Sequence, residues 1–242
     1  FPAYFADYGL PMIWESFREK HPAVDIKIIS YPSATFWESV QQAESMGAGP
    51  HLVLVSDSVF AGLDKKNSFM NLESNLEELQ EIYPKIRETF RSDGEIPAVP
   101  VTFTPICLTY NPDLFKQNHI PLPDSNWTAD QFFDAAKRLT SVQDGKISRF
   151  GFSIHPTFSR WLVFALQNGM QPNHNRNRSI MTESLAYLQS LLHKERIATI
   201  YTDVWNMSNP YIYGKAAMSL TTLFEMSSWS DRGIGFAPQI AS

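Results

Sequence analysis

Between residues 94 and 115 the chain reads GEIPAVPVTFTPICLTYNPDLF, and its apolar alternation changes phase in the middle. Successive side chains on a strand point to opposite faces, so Val99, Val101 and Phe103 share one face and Ile106, Leu108 and Tyr110 the other. The slip falls at Thr104 and Pro105, where proline removes a ladder donor. A strand whose buried face switches partway serves two hydrophobic cores. The segment is therefore expected to cross between two α/β lobes, residues 1–103 and 104–242, with a hinge at 104–106.

The flanking chain alternates helices with short strands, the pattern of an α/β architecture. On the amino-terminal side, residues 1–6 are strand-like and Asp7 stands as an N-cap for a helix whose Leu10, Ile13, Trp14 and Phe17 form a core-facing stripe. Residues 24–29 read as a strand. Phe36, Val40 and Ala43 mark a second helix, broken at Gly47, and the unbroken LVLV run at 52–55 reads as a buried parallel strand. Leu76, Leu79, Ile82, Tyr83, Ile86 and Phe90 form a further helical stripe, interrupted at Pro84.

On the carboxyl-terminal side, Thr128 and Gln131 make a capping box for a helix that buries Phe132, Phe133, Ala136 and Leu139. Asp144-Gly145 is a turn and residues 150–154 a strand. A helix from Ser159 is expected to stop at Gly169. Residues 173–178 read as a loop, with Thr182 capping the helix of Leu185, Leu188, Leu191 and Leu192. GKAAMSLTT at 214–222 and residues 233–237 read as strands.

Composition excludes several function classes. The 242 residues are 43% hydrophobic, enough for a sizeable core. A formal charge of −5 and a pI near 5.7 supply no basic field for direct nucleic-acid binding. The longest apolar run, WLVFAL at 161–166, falls far short of the ~20 residues that span a bilayer. Cys107, the single cysteine, has no partner for an internal disulfide and is read as a small core residue. The six histidines show neither H-E-x-x-H nor Cys/His spacing, and no nucleophile elbow or phosphate-binding loop occurs, so no metal, cofactor or catalytic group is expected.

Residues 94–140, running from GEIPAVPV through LTYNPDLF to NWTADQFFDAAKRLT, resemble the hinge-crossing segment of the family 1 extracellular solute-binding proteins. These are the maltose-binding-protein-like receptors of sugar importers. GKAAM at 214–218 is a second anchor of the resemblance, and His51 departs from it, since the family usually has Asp there. The resemblance implies a two-lobed periplasmic-binding-protein-like (type II) fold, truncated at both ends in the residues given. It also implies non-catalytic binding of a carbohydrate in an interlobe cleft with hinge closure. The implied partners are the sugar and an ABC permease, the implied state a monomer, and the implied location the periplasm or the extracellular face of a membrane, to which the protein would be anchored.

Sugars offer flat C–H faces that stack on aromatic rings, ringed by hydroxyls that need hydrogen bonds. By analogy with the family's cleft, the ligand-contacting residues are expected to be Tyr4, Asp7, Ser56, Asp57, Thr104, Arg160, Trp161 and Phe224, with Thr104 and Pro105 as the hinge; for Trp161 and Phe224 core packing is an equally good reading. For Ser56 and Asp57, which leave the 52–55 run where open α/β sheets hold ligands, helix capping is an equally good reading. Two other functions fit the residues. One is the effector-sensing domain of a cytoplasmic bacterial transcriptional regulator of the GntR-fused type, which TFTPICLTYN together with SRWLVFALQNG also resembles. The other is a glycoside-processing enzyme, which would need carboxylates facing each other across the cleft.

Overall fold

A computed structural model describes residues 10–32, 35–56, 59–60, 69–73, 81–171, 177–202, 208–227, 229 and 234–241. The chain divides into two compact units, residues 1–101 and 102–242. Tyr4, Asp7 and Asp57, like residues 1–6, Leu76 and Leu79, lie outside the described residues.

The described part of the first unit is helical. Helix α1 spans Leu10–Lys20, with Arg18 and Lys20 in the last turn, where cations complement the dipole. Helix α2, Phe36–Ser45, buries Phe36 and Val40, and α3, Pro84–Thr89, opens on its own proline. Trp37, Phe69, Phe60 and Phe90 pack ring against ring at centroid separations of 5.5–6.3 Å. A polar clamp holds the segments before and after α3. The Arg91 guanidinium donates to Glu73 (2.6 Å), Glu88 (2.7 Å) and the Gly94 carbonyl (2.9 Å).

Several expectations for this unit are corrected. Residues 24–29, 52–55 and 99–103, the last run reaching into the second unit, form no strands, and among the described residues of the first unit only the Ser92–Glu95 bridge pairs β-fashion. A strand exists only through its neighbour's hydrogen bonds, and alternation alone does not supply a neighbour. In IPAVPVTFTP, moreover, three prolines remove donors from one short segment. Leu52, Val101 and Phe103 are accordingly exposed, and in the α1 stripe Ile13 and Phe17 keep 56% and 36% of their free surface while Trp14 is half-buried.

The second unit is a six-stranded mixed sheet with helices packed on it. Strand β1, Ile106–Tyr110, is followed by α4, Pro112–Gln117, whose N-cap Asn111 accepts from the Asp113 and Leu114 amides. Helix α5, Ala129–Leu139, carries the expected capping box. Strands β2, Ser141–Gln143, and β3, Lys146–Ile154, form a hairpin over Asp144 and Gly145, both at positive φ (51° and 70°) as a type I′ turn requires. Next come α6, Phe158–Gln167, α7, Asn177–Gln189, a π turn at Ser190–Lys194, and β4, Ala198–Ile200. A 3-10 turn at Pro210–Tyr213 leads into β5, Ala216–Thr222, α8, Leu223–Ser227, and β6, Gln239–Ile240.

Strands β3, β4 and β5 run parallel, whereas β1 is antiparallel to both β5 and β6. One face of the sheet carries Tyr110, Phe152, Ile154, Met218 and Leu220 into a core completed by Phe115, Phe132, Leu139, Phe164 and Leu191. Ile106 and Leu108 pack against the same core, on the parity expected of them. Gly151 lets α5 press onto the sheet, since a Cβ there would overlap the Ala136 backbone. The other face buries a polar cluster. There Thr109, Ser153, Asn209 and Ser219 bond one another at 2.9–3.1 Å.

Two boundaries in this unit differ from expectation. Helix α7 begins at Asn177, whose side chain bonds both backbone groups of Gln171, and Thr182 lies inside the helix, donating to the Arg178 carbonyl at 2.9 Å. The last strand is not at 234–237, the described part of the expected run, but at Gln239–Ile240, where β1 offers Thr109 and Tyr110 as partners.

Candidate functional site

Parallel strands bring their carboxyl ends to one edge of a sheet, the edge at which open α/β sheets hold ligands. Here β3 ends at Ile154, β4 at Ile200 and β5 at Thr222. Strand β1 is antiparallel to β5 with Ile106 opposite Thr222, so its amino end starts from the same edge. The Leu223 amide donates to the Pro105 carbonyl there (3.3 Å). Topology thus gathers Thr104 and Pro105, Arg160 and Trp161, and residue 224 at one edge, although the chain separates the first from the last by more than a hundred residues.

The edge is held by a buried ion pair. Arg160 sits in the first turn of α6, where a cation opposes the helix dipole, and is 4% exposed. It persists there because Glu225 accepts its Nη2 at 2.5 Å. The same carboxylate oxygen accepts the Thr222 amide (2.8 Å), and the Thr222 hydroxyl accepts the Glu225 amide (3.2 Å). This is a second capping box, opening α8, with its N3 carboxylate also neutralising a guanidinium. Such a pair, once desolvated, is costly to break from one side, by about 3–5 kcal/mol.

From the end of β4 comes Tyr201, 4% exposed, with the Arg160 guanidinium 5.9 Å from its ring centre. Burial, and then the nearby Glu225 carboxylate, push the Tyr201 phenol up to about 12. His155, the first residue past β3, meets the Tyr201 ring edge-on at 5.4 Å, and its Nε2 lies 3.1 Å from the Thr202 carbonyl. Trp161 is half-buried and packs perpendicular to Phe158 at 4.9 Å, while Phe158 is 59% exposed. Together they present aromatic surface at the edge.

The remaining expected residues are placed as follows. Thr104 is exposed. Ser56, in the first unit, accepts the Val59 amide at its hydroxyl (3.3 Å) and the Phe60 amide at its carbonyl (2.9 Å), so its capping role is realised. Sequence reasoning missed Glu225, Tyr201 and His155. Thr222-x-x-Glu225 is a legible capping box, but nothing in the sequence links Glu225 to Arg160. Cys107, expected in the core, is half-buried and belongs to neither core cluster, and partial burial pushes its thiol above its ordinary range. Among the described residues no group of His, Cys, Asp and Glu is placed to hold a metal ion, and no helix is long and apolar enough to cross a membrane.

The sequence profile of the bacterial extracellular solute-binding proteins matches residues 13–232. In structure, the chain is similar to an ABC substrate-binding protein of Listeria monocytogenes in complex with cycloalternan, at 18% identity and a TM-score of 0.73, over 96% of this chain and 62% of that one. It is similar to an ABC transporter solute-binding protein of Thermotoga lettingae bound with α-D-tagatose, at 16% identity and 0.70, over 99% and 65%. UgpB of Mycobacterium tuberculosis, in complex with glycerophosphocholine, aligns at 13% identity and 0.70, over 94% and 61%. The chain therefore spans less than two thirds of the length of these relatives. No curated protein matches it by sequence.

Proposed function

Because the chain belongs to the bacterial extracellular solute-binding protein family, with the periplasmic-binding-protein-like α/β fold of its structural neighbours, we propose that it serves as a non-catalytic carbohydrate receptor of an ABC importer. The observation that carries this reading is the edge of the second unit's sheet. Exposed Phe158 and half-buried Trp161 open the helix after β3, on the edge where β5 ends at Thr222 and the chain enters β1 past Thr104, an arrangement that supports stacking surface together with hydrogen-bonding groups as a sugar requires. The Listeria and Thermotoga relatives, solved with cycloalternan and tagatose, support the ligand class.

In this proposal Trp161 and Phe224 stack on the sugar and Thr104 contacts it near the hinge formed with Pro105. Tyr4, Asp7, Ser56 and Asp57 contribute from the first unit, as the resemblance implies. The receptor acts as a monomer outside the cytoplasm, held at the membrane, and delivers its ligand to a permease.

The test is a tryptophan-fluorescence titration of the full-length protein against mono- and oligosaccharides, with glycerophosphocholine, polyamines and amino acids as controls. Saturable binding of one sugar class, with the sugar recovered unaltered, is expected. Trp161→Ala should weaken it about tenfold or more, the scale of a lost stacking anchor, with the fold retained. Silence towards every sugar, or turnover of one, overturns the reading. Small-angle scattering should report compaction on saturation, and an unchanged radius of gyration rejects the hinge.

A further inference from the structure

Arg160 and Glu225 are consecutive in space but 65 residues apart in sequence, and each directly precedes or follows a residue assigned above to the ligand. Arg160 adjoins Trp161 in the first turn of α6, and Glu225 adjoins residue 224 in the first turn of α8. Those turns follow β3 and β5, which are parallel neighbours with Ile154 opposite Leu220. The Arg160 guanidinium also faces Tyr201 at the end of β4. One side chain thus ties together the carboxyl ends of three adjacent strands.

The Glu225 carboxylate is taken up within the protein, and the Arg160 guanidinium is buried against it with its Nε unpartnered among the described residues. Arg160 is 4% exposed and Glu225 8%, and the Glu225 oxygen that holds the guanidinium also accepts the Thr222 amide and hydroxyl. A guanidinium so covered has no surface to offer a sugar. We infer that Arg160 and Glu225 are positioning residues: their buried ion pair fixes the first turns of α6 and α8 against each other and thereby sets the ligand-facing geometry of Trp161 and the backbone position of residue 224. This reassigns Arg160 from ligand contact to support. It rests on the carbohydrate-receptor reading only for its binding arm.

Glu225→Gln separates the ion pair from the cap, because glutamine serves the same N3 role at Gln131 in the capping box of α5. Arg160→Met/Glu225→Gln removes both charges and keeps the cap, so the double variant folds even where the single one, with an uncompensated buried cation, does not. The first readout needs no ligand. Full-length protein labelled with 5-fluorotryptophan gives a Trp161 fluorine resonance, assigned by its loss in Trp161→Phe. In the double variant that resonance shifts or broadens well below the melting temperature, whereas an unmoved resonance overturns the inference, since a purely stabilising pair changes melting alone.

The second readout is calorimetric titration with cycloalternan, maltotriose, acarbose and D-tagatose. For whichever binds the wild type, the double variant should bind about tenfold more weakly, a coupling of ordinary size. Unchanged affinity in the double variant overturns the inference. So does a loss on Arg160→Lys with none on Glu225→Gln, the pattern of direct contact between Arg160 and the sugar. If none of the four binds the wild type while the fluorine resonance still moves, the positioning role stands and the carbohydrate reading falls.

Discussion

The two units use similar sequence patterns with opposite results. Both contain amphipathic helices, short alternating runs and turns built on positive-φ glycine. In residues 102–242 those patterns meet partners: β5 lies between β3 and β1, and Phe152, Met218 and Leu191 are sealed beneath α5, α6 and α7. In the described part of residues 1–101 they do not. Ile28, Ile29 and Leu52 lie outside any helix or strand and are 50%, 39% and 89% exposed. An apolar pattern, alternating or continuous, does not by itself make a strand, which exists only through its pairing, so such a run is informative only once its neighbour in the sheet is known.

The largest expected effect tests that contrast directly. Phe152→Ala, at a position with no exposed surface, should cost about 3–5 kcal/mol in denaturant unfolding. Leu52→Ala should fall within about 0.5 kcal/mol, as open positions do. A Leu52→Ala cost comparable to that of Phe152→Ala would break the comparison and mean that residue 52 is covered in the full-length protein.

A middle-sized effect sharpens it. Gly47 ends α2 and Gly169 ends α6 with the same Schellman pattern. The Gly47 amide donates to Glu44 and the Ala48 amide to Ala43, as the Gly169 amide does to Leu166 and the Met170 amide to Ala165. Both glycines sit at positive φ, 70° and 85°, with open space where a Cβ would go. Alanine at either position should cost about 1–2 kcal/mol through backbone strain alone. If the units unfold together, the two variants shift a single transition equally. If they unfold separately, Gly47→Ala moves only the first transition, which two-probe denaturation with circular dichroism and tryptophan fluorescence resolves.

What was legible in the sequence follows the same division. The Thr128 and Gln131 capping box, the Asp144-Gly145 turn, the stop at Gly169 and the GKAAMSLTT strand were all readable. Each is specified within a few residues by local hydrogen bonds or by an apolar run too long to expose. The parity of Ile106, Leu108 and Tyr110 was readable because all three reach one core. Residues 24–29, 52–55 and 99–103 were misread because their state depends on partners elsewhere in the chain. At the site, Thr104, Arg160, Trp161 and Phe224 were named from a resemblance, and the sheet topology then gathers their positions at one edge. The Glu225 cap was legible as Thr-x-x-Glu and was passed over, whereas its pairing with Arg160 is visible only in three dimensions.

The smallest effect expected is electrostatic and compares the one ion-pair cluster of the first unit described above with the buried pair of the second. Glu73 and Glu88 are held below the usual carboxylate range chiefly by hydrogen bonds from Arg91. With the folded value depressed, the stabilisation they contribute is present above the unfolded value, near ~4.3, and is lost as pH falls through the lower folded value. The cluster is solvent-exposed, with Glu73 and Glu88 side chains retaining 45% and 47% of their surface, so its contribution is small and screened by salt. Unfolding free energy measured from neutral to acid pH should therefore fall less steeply in Arg91→Met than in the wild type, and the difference should vanish in molar salt. A difference that survives molar salt would show that Arg91 acts by packing the segments before and after α3 instead of by charge. By the same reasoning the Arg160 and Glu225 pair, screened from solvent by burial, should keep its effect at any ionic strength.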